Sequence, residues 1–88
     1  MKVAFDRSFE RDTKRLPKQI QHQIKEIILK VQASKQMNDF SPIKMEGAKN
    51  AFRIRTGNYR IGIYLEGEII VFSRVLDRKE IYRYFPKR

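Results

Sequence analysis

The chain has no cysteine, which rules out a disulfide framework and any cysteine-ligated metal. No apolar run nears the ~20 residues that cross a bilayer. Met1-Lys2-Val3-Ala4-Phe5 leads straight into charged residues, without the apolar stretch of a signal peptide. The expectation is a cytoplasmic protein with no membrane partner. Histidine occurs once, at His22, about 200° around a helix from Ile20 and with no Ser, Cys or second His within a turn. It reads as a solvated surface residue. There is no acidic cluster for a two-metal nuclease, no His/Cys ligand set, no glycine-rich phosphate loop and no Ser-His-Asp constellation. Neither a metal nor a small-molecule cofactor is expected. Internal repeats, low-complexity tracts and linkers are missing too, so residues 1–88 are expected to form one domain with a small core.

What the chain does have is positive charge: 20 Lys and Arg against 10 Asp and Glu, for a net charge of +10. The excess runs along its whole length, with nine basic and five acidic residues in 1–43, and eleven and five in 44–88. A folded unit this basic points to nucleic acid, an acidic protein partner, or both.

The charge is most organised in Phe52-Arg53-Ile54-Arg55-Thr56-Gly57-Asn58-Tyr59-Arg60-Ile61-Gly62-Ile63-Tyr64. Gly57-Asn58 between two alternating runs is a two-residue hairpin signal, with Gly57 supplying the positive φ of a type II′ turn. That turn sets Thr56 opposite Tyr59, Arg55 opposite Arg60, Ile54 opposite Ile61 and Arg53 opposite Gly62. Alternation then puts Phe52, Ile54, Tyr59, Ile61 and Ile63 on one face and Arg53, Arg55, Arg60 and Tyr64 on the other. Two unit charges ~5.5 Å apart repel by roughly 3 kcal/mol at an effective dielectric of about 20. Opposed arginines therefore make sense where an anion sits between them; the competing reading is a solvated basic face. Arg rather than Lys throughout favours phosphate, which the planar fork binds bidentately.

The remaining pattern describes a scaffold. Lys2 to Phe5 reads as a short strand. Helix one is expected over about Ser8–Leu16, with Asp6 or Ser8 as its cap and a thin stripe of Phe9 and Leu16. Pro17 separates it from helix two, whose Ile20, Ile24, Ile27, Ile28 and Val31 follow the spacing of one buried face and leave Leu29 outside. The two helices form an antiparallel hairpin. Residues 34–50 read as a connector without regular structure, tacked to the core by Phe40, Ile43 and Met45. After a second turn at Glu66-Gly67, a third strand runs from Glu68 to about Val75, with Ile70 and Phe72 on the core face and Ser73 beside Arg60. Asp77-x-x-Glu80 resembles a capping box opening one or two helical turns that end before Pro86, with Arg78 and Tyr82 on one side and Ile81 and Phe85 docked on the core. The fold class is α+β: an N-terminal strand, the helix hairpin packed on an antiparallel sheet meander, and a short C-terminal helical segment.

Arginine is a poor base at neutral pH, but it holds a phosphate in line and stabilises charge developing on its oxygens. RNA carries its own nucleophile, the 2′-hydroxyl. An arginine cluster with a tyrosine to stack on a base therefore suffices in principle for internal transesterification. Arg15-Leu16-Pro17, Met45-Glu46-Gly47, the 52–60 hairpin segment and Asp77-Arg78-Lys79-Glu80-Ile81-Tyr82 together resemble the RelE/ParE-type toxins of bacterial toxin–antitoxin pairs, in particular the RelE branch of messenger-RNA interferases. The Arg-x-Arg-x-Gly-x-Tyr-Arg hairpin followed by Arg-Lys-x-x-Tyr is the most specific part.

The resemblance implies a microbial-ribonuclease-like fold and metal-independent cleavage of mRNA in the ribosomal A site by 2′-hydroxyl attack, which inhibits translation. It also implies a cognate antitoxin, acidic and helical, as partner. Carried over by position, the site residues are Arg53 and Arg55, where relatives often have Lys, with Arg60, Arg78 and the base-stacking Tyr82. Asp77 stands where relatives frequently carry His or a basic residue, and reads as a helix cap. Two alternatives are a ParE-like DNA gyrase inhibitor on the same scaffold and a non-catalytic nucleic-acid-binding module.

Overall fold

The structure, a computed structural model, describes residues 1–87. Its elements are β1 (Lys2–Phe5), α1 (Arg7–Lys14), α2 (Lys18–Ala33), a 3-10 turn (Met37–Phe40), β2 (Ile43–Lys44), β3 (Ala51–Thr56), β4 (Tyr59–Glu66), β5 (Ile69–Asp77) and α3 (Ile81–Tyr84). The five strands form one sheet in the order β1-β5-β4-β3-β2. The expected meander is its centre: β3–β4 and β4–β5 are antiparallel. β1 adds to β5 in parallel, and β2 adds to β3. Among the described residues no helix is long and apolar enough to cross a membrane.

Glycine decides both hairpins. Gly57 and Gly67 sit at φ of +59° and +62° as the first residue of two-residue turns. The conformation disfavours a side chain, and its twist matches that of the flanking strands. The first turn produces the four pairings read from the sequence, Arg55 opposite Arg60 among them.

The main core lies between the helices and one sheet face. Phe9, Ile24, Val31 and Phe40 pack against Ile54, Ile61, Ile63, Ile70, Phe72 and Val75. Pro17 caps α2 from outside, and the Gln21 amide donates to the carbonyls of Thr13 and Leu16, tying the end of α1 to the start of α2. Leu29 is exposed, as the spacing of helix two requires.

β1 reaches only to Phe72 along β5. Beyond it, α1 takes over the edge. The Asp6 N–H donates to Phe72 O at 2.9 Å, the Ser8 hydroxyl to Ser73 O at 2.6 Å, and the Val75 N–H to the Asp12 carboxylate at 3.1 Å. Asp12 also takes two bonds from Arg74, at 2.7 and 3.1 Å, and is buried. A carboxylate that far from water needs such partners. Here it substitutes for a missing strand.

The connector differs from expectation. It holds the 3-10 turn and the two-residue β2, paired with Phe52 and Arg53. Two residues are too few to leave a periodicity in the sequence. Phe40 and Met45 are buried as expected, but Ile43 is 51% exposed, because it lies on the polar side of the sheet, level with Arg53.

Candidate nucleic-acid interface

The other sheet face carries the arginines, in two rows. Nearest the Gly57 turn, Arg55, Arg60 and Leu76 lie side by side on β3, β4 and β5; the next row is Arg53, Gly62 and Arg74. Leu76 occupies the place expected for Ser73. Two of the three positions come from the second turn, which is Gly67-Glu68 and not the expected Glu66-Gly67; the third comes from a register slip between Gly62 and Ile63, where Ser73 is the extra residue on β5. Residues packed under the helices run 70, 72, then 75, and a switch from even to odd marks a bulge.

Beyond the second row the face becomes apolar. Tyr64, expected beside the arginines, is 1% exposed in a second core with Met45, Ala51, Val71, Ile81 and Phe85. Its hydroxyl accepts the Lys87 N–H at 3.0 Å. Ile81 and Phe85 dock on the fold as expected, but on this face rather than under the helices. Gly62 makes the docking possible: a Cβ there would lie 2.7 Å from the Phe85 ring. The ring fills the floor of the sheet and confines the arginine patch to the turn end.

α3 in turn delivers Tyr82, 59% exposed, whose ring centroid lies 5.6 Å from the Arg53 guanidinium carbon. Arg55 is exposed, and Arg53 and Arg60 are half-buried. The Arg60 guanidinium donates from one nitrogen to Gly57 O and Tyr59 O, at 3.1 and 2.9 Å, so the turn fixes its direction. Arg78 lies between β5 and α3, exposed, and its N–H donates to Asn58 O at 2.8 Å. It therefore sits outside α3 and does not share a helical face with Tyr82. Asp77 ends β5 and accepts the Lys79 N–H at 2.8 Å; it closes a turn and does not cap the helix.

The sheet thus brings Arg53, Arg55 and Arg60 onto one face, α3 adds Tyr82 over Arg53, and the Arg78 backbone is pinned beside the turn. Among the described residues none of these four arginines is paired with a carboxylate; the ion pairs are His22–Glu26, Arg74–Asp12 and Arg83–Glu80. Unneutralised guanidinium groups around an exposed ring can hold a phosphodiester and stack a neighbouring base. Arg74 went unnoticed in the sequence. It is half-buried, paired to Asp12, and 5.5 Å from the Tyr84 ring.

Residues 3–82 match the family model for the ParE toxin of type II toxin–antitoxin systems, parDE. Taken with the α+β architecture, this places the chain in the RelE/ParE superfamily of toxins, to which it belongs. Within that superfamily its likeness is to RelE. Toxin RelE3 of Methanocaldococcus jannaschii is 49% identical over 88 residues, which cover 98% of this chain and all of that one. A chain of the RelB–RelE antitoxin–toxin complex from Methanococcus jannaschii superposes with a TM-score of 0.79 at 46% identity, over 96% of this chain and 100% of that one. A chain of the Mycobacterium tuberculosis RelBE2 complex gives a TM-score of 0.69 at 26% identity, over 88% and 96%. The isolated Escherichia coli RelE toxin shares the fold at 19% identity, with a TM-score of 0.70 over 93% and 90%.

Proposed function

We propose that this toxin is a metal-independent endoribonuclease that cleaves mRNA in the ribosomal A site and so halts translation in the cytoplasm. The observation carrying this reading is the set of arginines on one sheet face that, among the described residues, have no carboxylate partner, beside an exposed tyrosine. In the reaction the RNA 2′-oxygen bonds to phosphorus and the bond to the 5′-oxygen breaks, leaving a cyclic phosphate and a 5′-hydroxyl. Arg53, Arg55, Arg60 and Arg78 hold the phosphodiester and take up charge on its oxygens, and Tyr82 stacks on a base to keep attacking and leaving oxygens in line. The ribosome supplies the rest of the positioning.

The partner that restrains the toxin is a cognate antitoxin with an acidic helical segment laid on this basic surface. Structures of RelB–RelE pairs from Methanococcus jannaschii and Pyrococcus horikoshii support that assignment.

The test is mapping of mRNA 5′ ends after induction. New ends inside coding regions are expected, and Arg60→Ala or Arg78→Ala should abolish them and the growth arrest while leaving the protein folded. Persistence of both effects in both variants would overturn the proposal. The ParE name of the matching family model keeps a second reading, gyrase inhibition. That predicts a DNA-damage response with mRNA intact. Steeply salt-dependent RNA binding without cleavage would instead indicate a non-catalytic module.

A further inference from the structure

The second row of the polar face, Arg53, Gly62 and Arg74, is roofed by α3 and the residue after it, with one aromatic ring for each position. Tyr82 lies over Arg53, its centroid 5.6 Å from the guanidinium carbon. Phe85 sits against Gly62, where a Cβ would come within 2.7 Å of the ring. Tyr84 lies over Arg74 at 5.5 Å. Dimensions explain the fit. Two strand spacings put about 9.5–10 Å between β3 and β5, and a helix with its side chains is ~10–12 Å across. Tyr82 and Tyr84 are about 200° apart around the helix, so they fall on opposite sides of α3. Gly62 makes the saddle, and the two arginines make its flanks. The flanks are not equivalent. Asp12 grips the Arg74 guanidinium at 2.7 and 3.1 Å and also takes the Val75 N–H of β5. Arg53 has no carboxylate partner among the described residues.

We propose that Arg74 is a positioning residue: held by Asp12, it seats Tyr84 and so fixes the roll of α3 that keeps Tyr82 over Arg53; this deepens the ribonuclease reading and rests on it. Asp12 takes the Arg74 Nε and one terminal nitrogen and offsets the charge, which leaves a planar face of fixed direction. Such a face stacks on an aromatic ring. α3 is a single turn of four residues, and a helix that short does not hold itself together in water. Its direction is set by what its side chains rest on. Ile81 and Phe85, buried in the second core, fix its depth. A helix held along that one line can still roll about it. Tyr84 on an anchored guanidinium stops the roll. Tyr82 stands on the opposite side, so any movement at Tyr84 is passed on to it. A stacking ring displaced by about 1 Å no longer keeps the attacking and leaving oxygens in line.

The test uses Arg74→Lys, which keeps a cation opposite Asp12 but has no planar face, and Tyr84→Leu, which keeps apolar bulk but has no ring. Each is read in two ways: by the ring resonances of Tyr82 in the purified chain, and by mRNA cleavage in a translation extract. Both variants are expected to stay folded, to shift the Tyr82 resonances and to cleave roughly 10- to 100-fold more slowly. Tyr84→Phe keeps the ring and should restore the original resonances and rate. A contact that only held the fold together would lower the melting temperature and leave the Tyr82 resonances of the folded protein in place; that result would overturn the proposal. So would slower cleavage in Arg74→Lys alone, which would mean that the guanidinium acts on RNA directly, or in Tyr84→Leu alone, which would mean that the ring does. Should no version cleave mRNA, the unsubstituted chain included, the ribonuclease reading fails, and the Tyr82 resonances still decide whether Arg74 places that ring.

Discussion

Gly62→Ala is expected to be one of the most damaging small substitutions available, although it adds a single methyl group. That carbon would sit 2.7, 2.7 and 2.8 Å from three atoms of the Phe85 ring. Carbon atoms rest at about 3.5–4.0 Å, so the ring must retreat by roughly 1 Å. It has little room to do so. Phe85 is 2% exposed, its centroid 4.9 Å from that of Tyr64. Overpacking of this kind costs about 1–3 kcal/mol. At about 4–8 °C per kcal/mol for a domain of this size, the melting temperature should fall by roughly 5–20 °C. Truncating the ring instead, Phe85→Ala, should cost about 3–5 kcal/mol. The collision argument makes a sharper demand on the double variant. With the ring gone the three atoms nearest the added methyl are gone too, and alanine loses less backbone freedom than glycine on folding, by roughly 0.5–1 kcal/mol. Gly62→Ala should therefore be neutral or mildly stabilising in the Phe85→Ala background. Urea denaturation of the four proteins, followed by circular dichroism, measures the coupling. An equal cost in both backgrounds would refute the account of how the C-terminal segment seats.

Asp12→Ala removes three bonds and strands the Arg74 guanidinium and the Val75 N–H, so a loss of about 3–5 kcal/mol is expected in the same denaturation assay. Asp39 accepts the N–H groups of Lys35 at 2.8 Å and Gln36 at 3.2 Å, and these bonds, Lys35 foremost, hold its pKa below the ordinary 3.8. A lowered folded pKa means that the stabilisation is present above 3.8 and disappears as pH falls through the folded value. A carboxyl titration by NMR should therefore place the Asp39 midpoint below 3.8, and Asp39→Asn should remove the pH dependence of the Lys35 amide shift. Arg60→Lys keeps the charge but cannot hold the turn carbonyls and fork a phosphate together, so it should retain a little of the mRNA cleavage that Arg60→Ala loses by about 100- to 1000-fold. Binding of a single-stranded RNA oligomer should weaken steeply with salt, and Arg55→Ala should shallow the log–log slope by about 0.7 if that guanidinium meets a phosphate.

The hairpin was legible because every cue agreed: a Gly-Asn turn, strict alternation on both sides, and the family pattern laid over it. Helix two was legible for the same reason. Its burial follows the spacing of Ile24 and Val31, with Ile20, Ile27 and Ile28 half-covered beside them. The features missed depend on long-range packing. Tyr64 alternates with the arginines and looks polar; only the return of Phe85 over Gly62 makes it core. Asp12 looks like one more charged residue of a charged helix, yet its role is set by a strand end more than 60 positions away. β2 exists only because β3 has an edge to pair with. Of the site, the Arg53–Arg55–Arg60 grouping followed from register alone, and Tyr82 reaches it through α3. The place of Arg78 depends on where β5 stops, two residues beyond the expected end.

The way α1 seals the end of β5 bears on what a lone copy does when it is made in excess. An open strand margin is a template for a neighbour, and sheets lacking protection grow into aggregates. Here the length of β5 beyond β1 is occupied by helix side chains that have taken its donors and acceptors, and the two outer strands are short: four residues in β1, and two in β2, one of them a lysine. Copies therefore have only short backbone rails along which to zip together. Short outer strands give one copy little with which to template another when the toxin is made in excess.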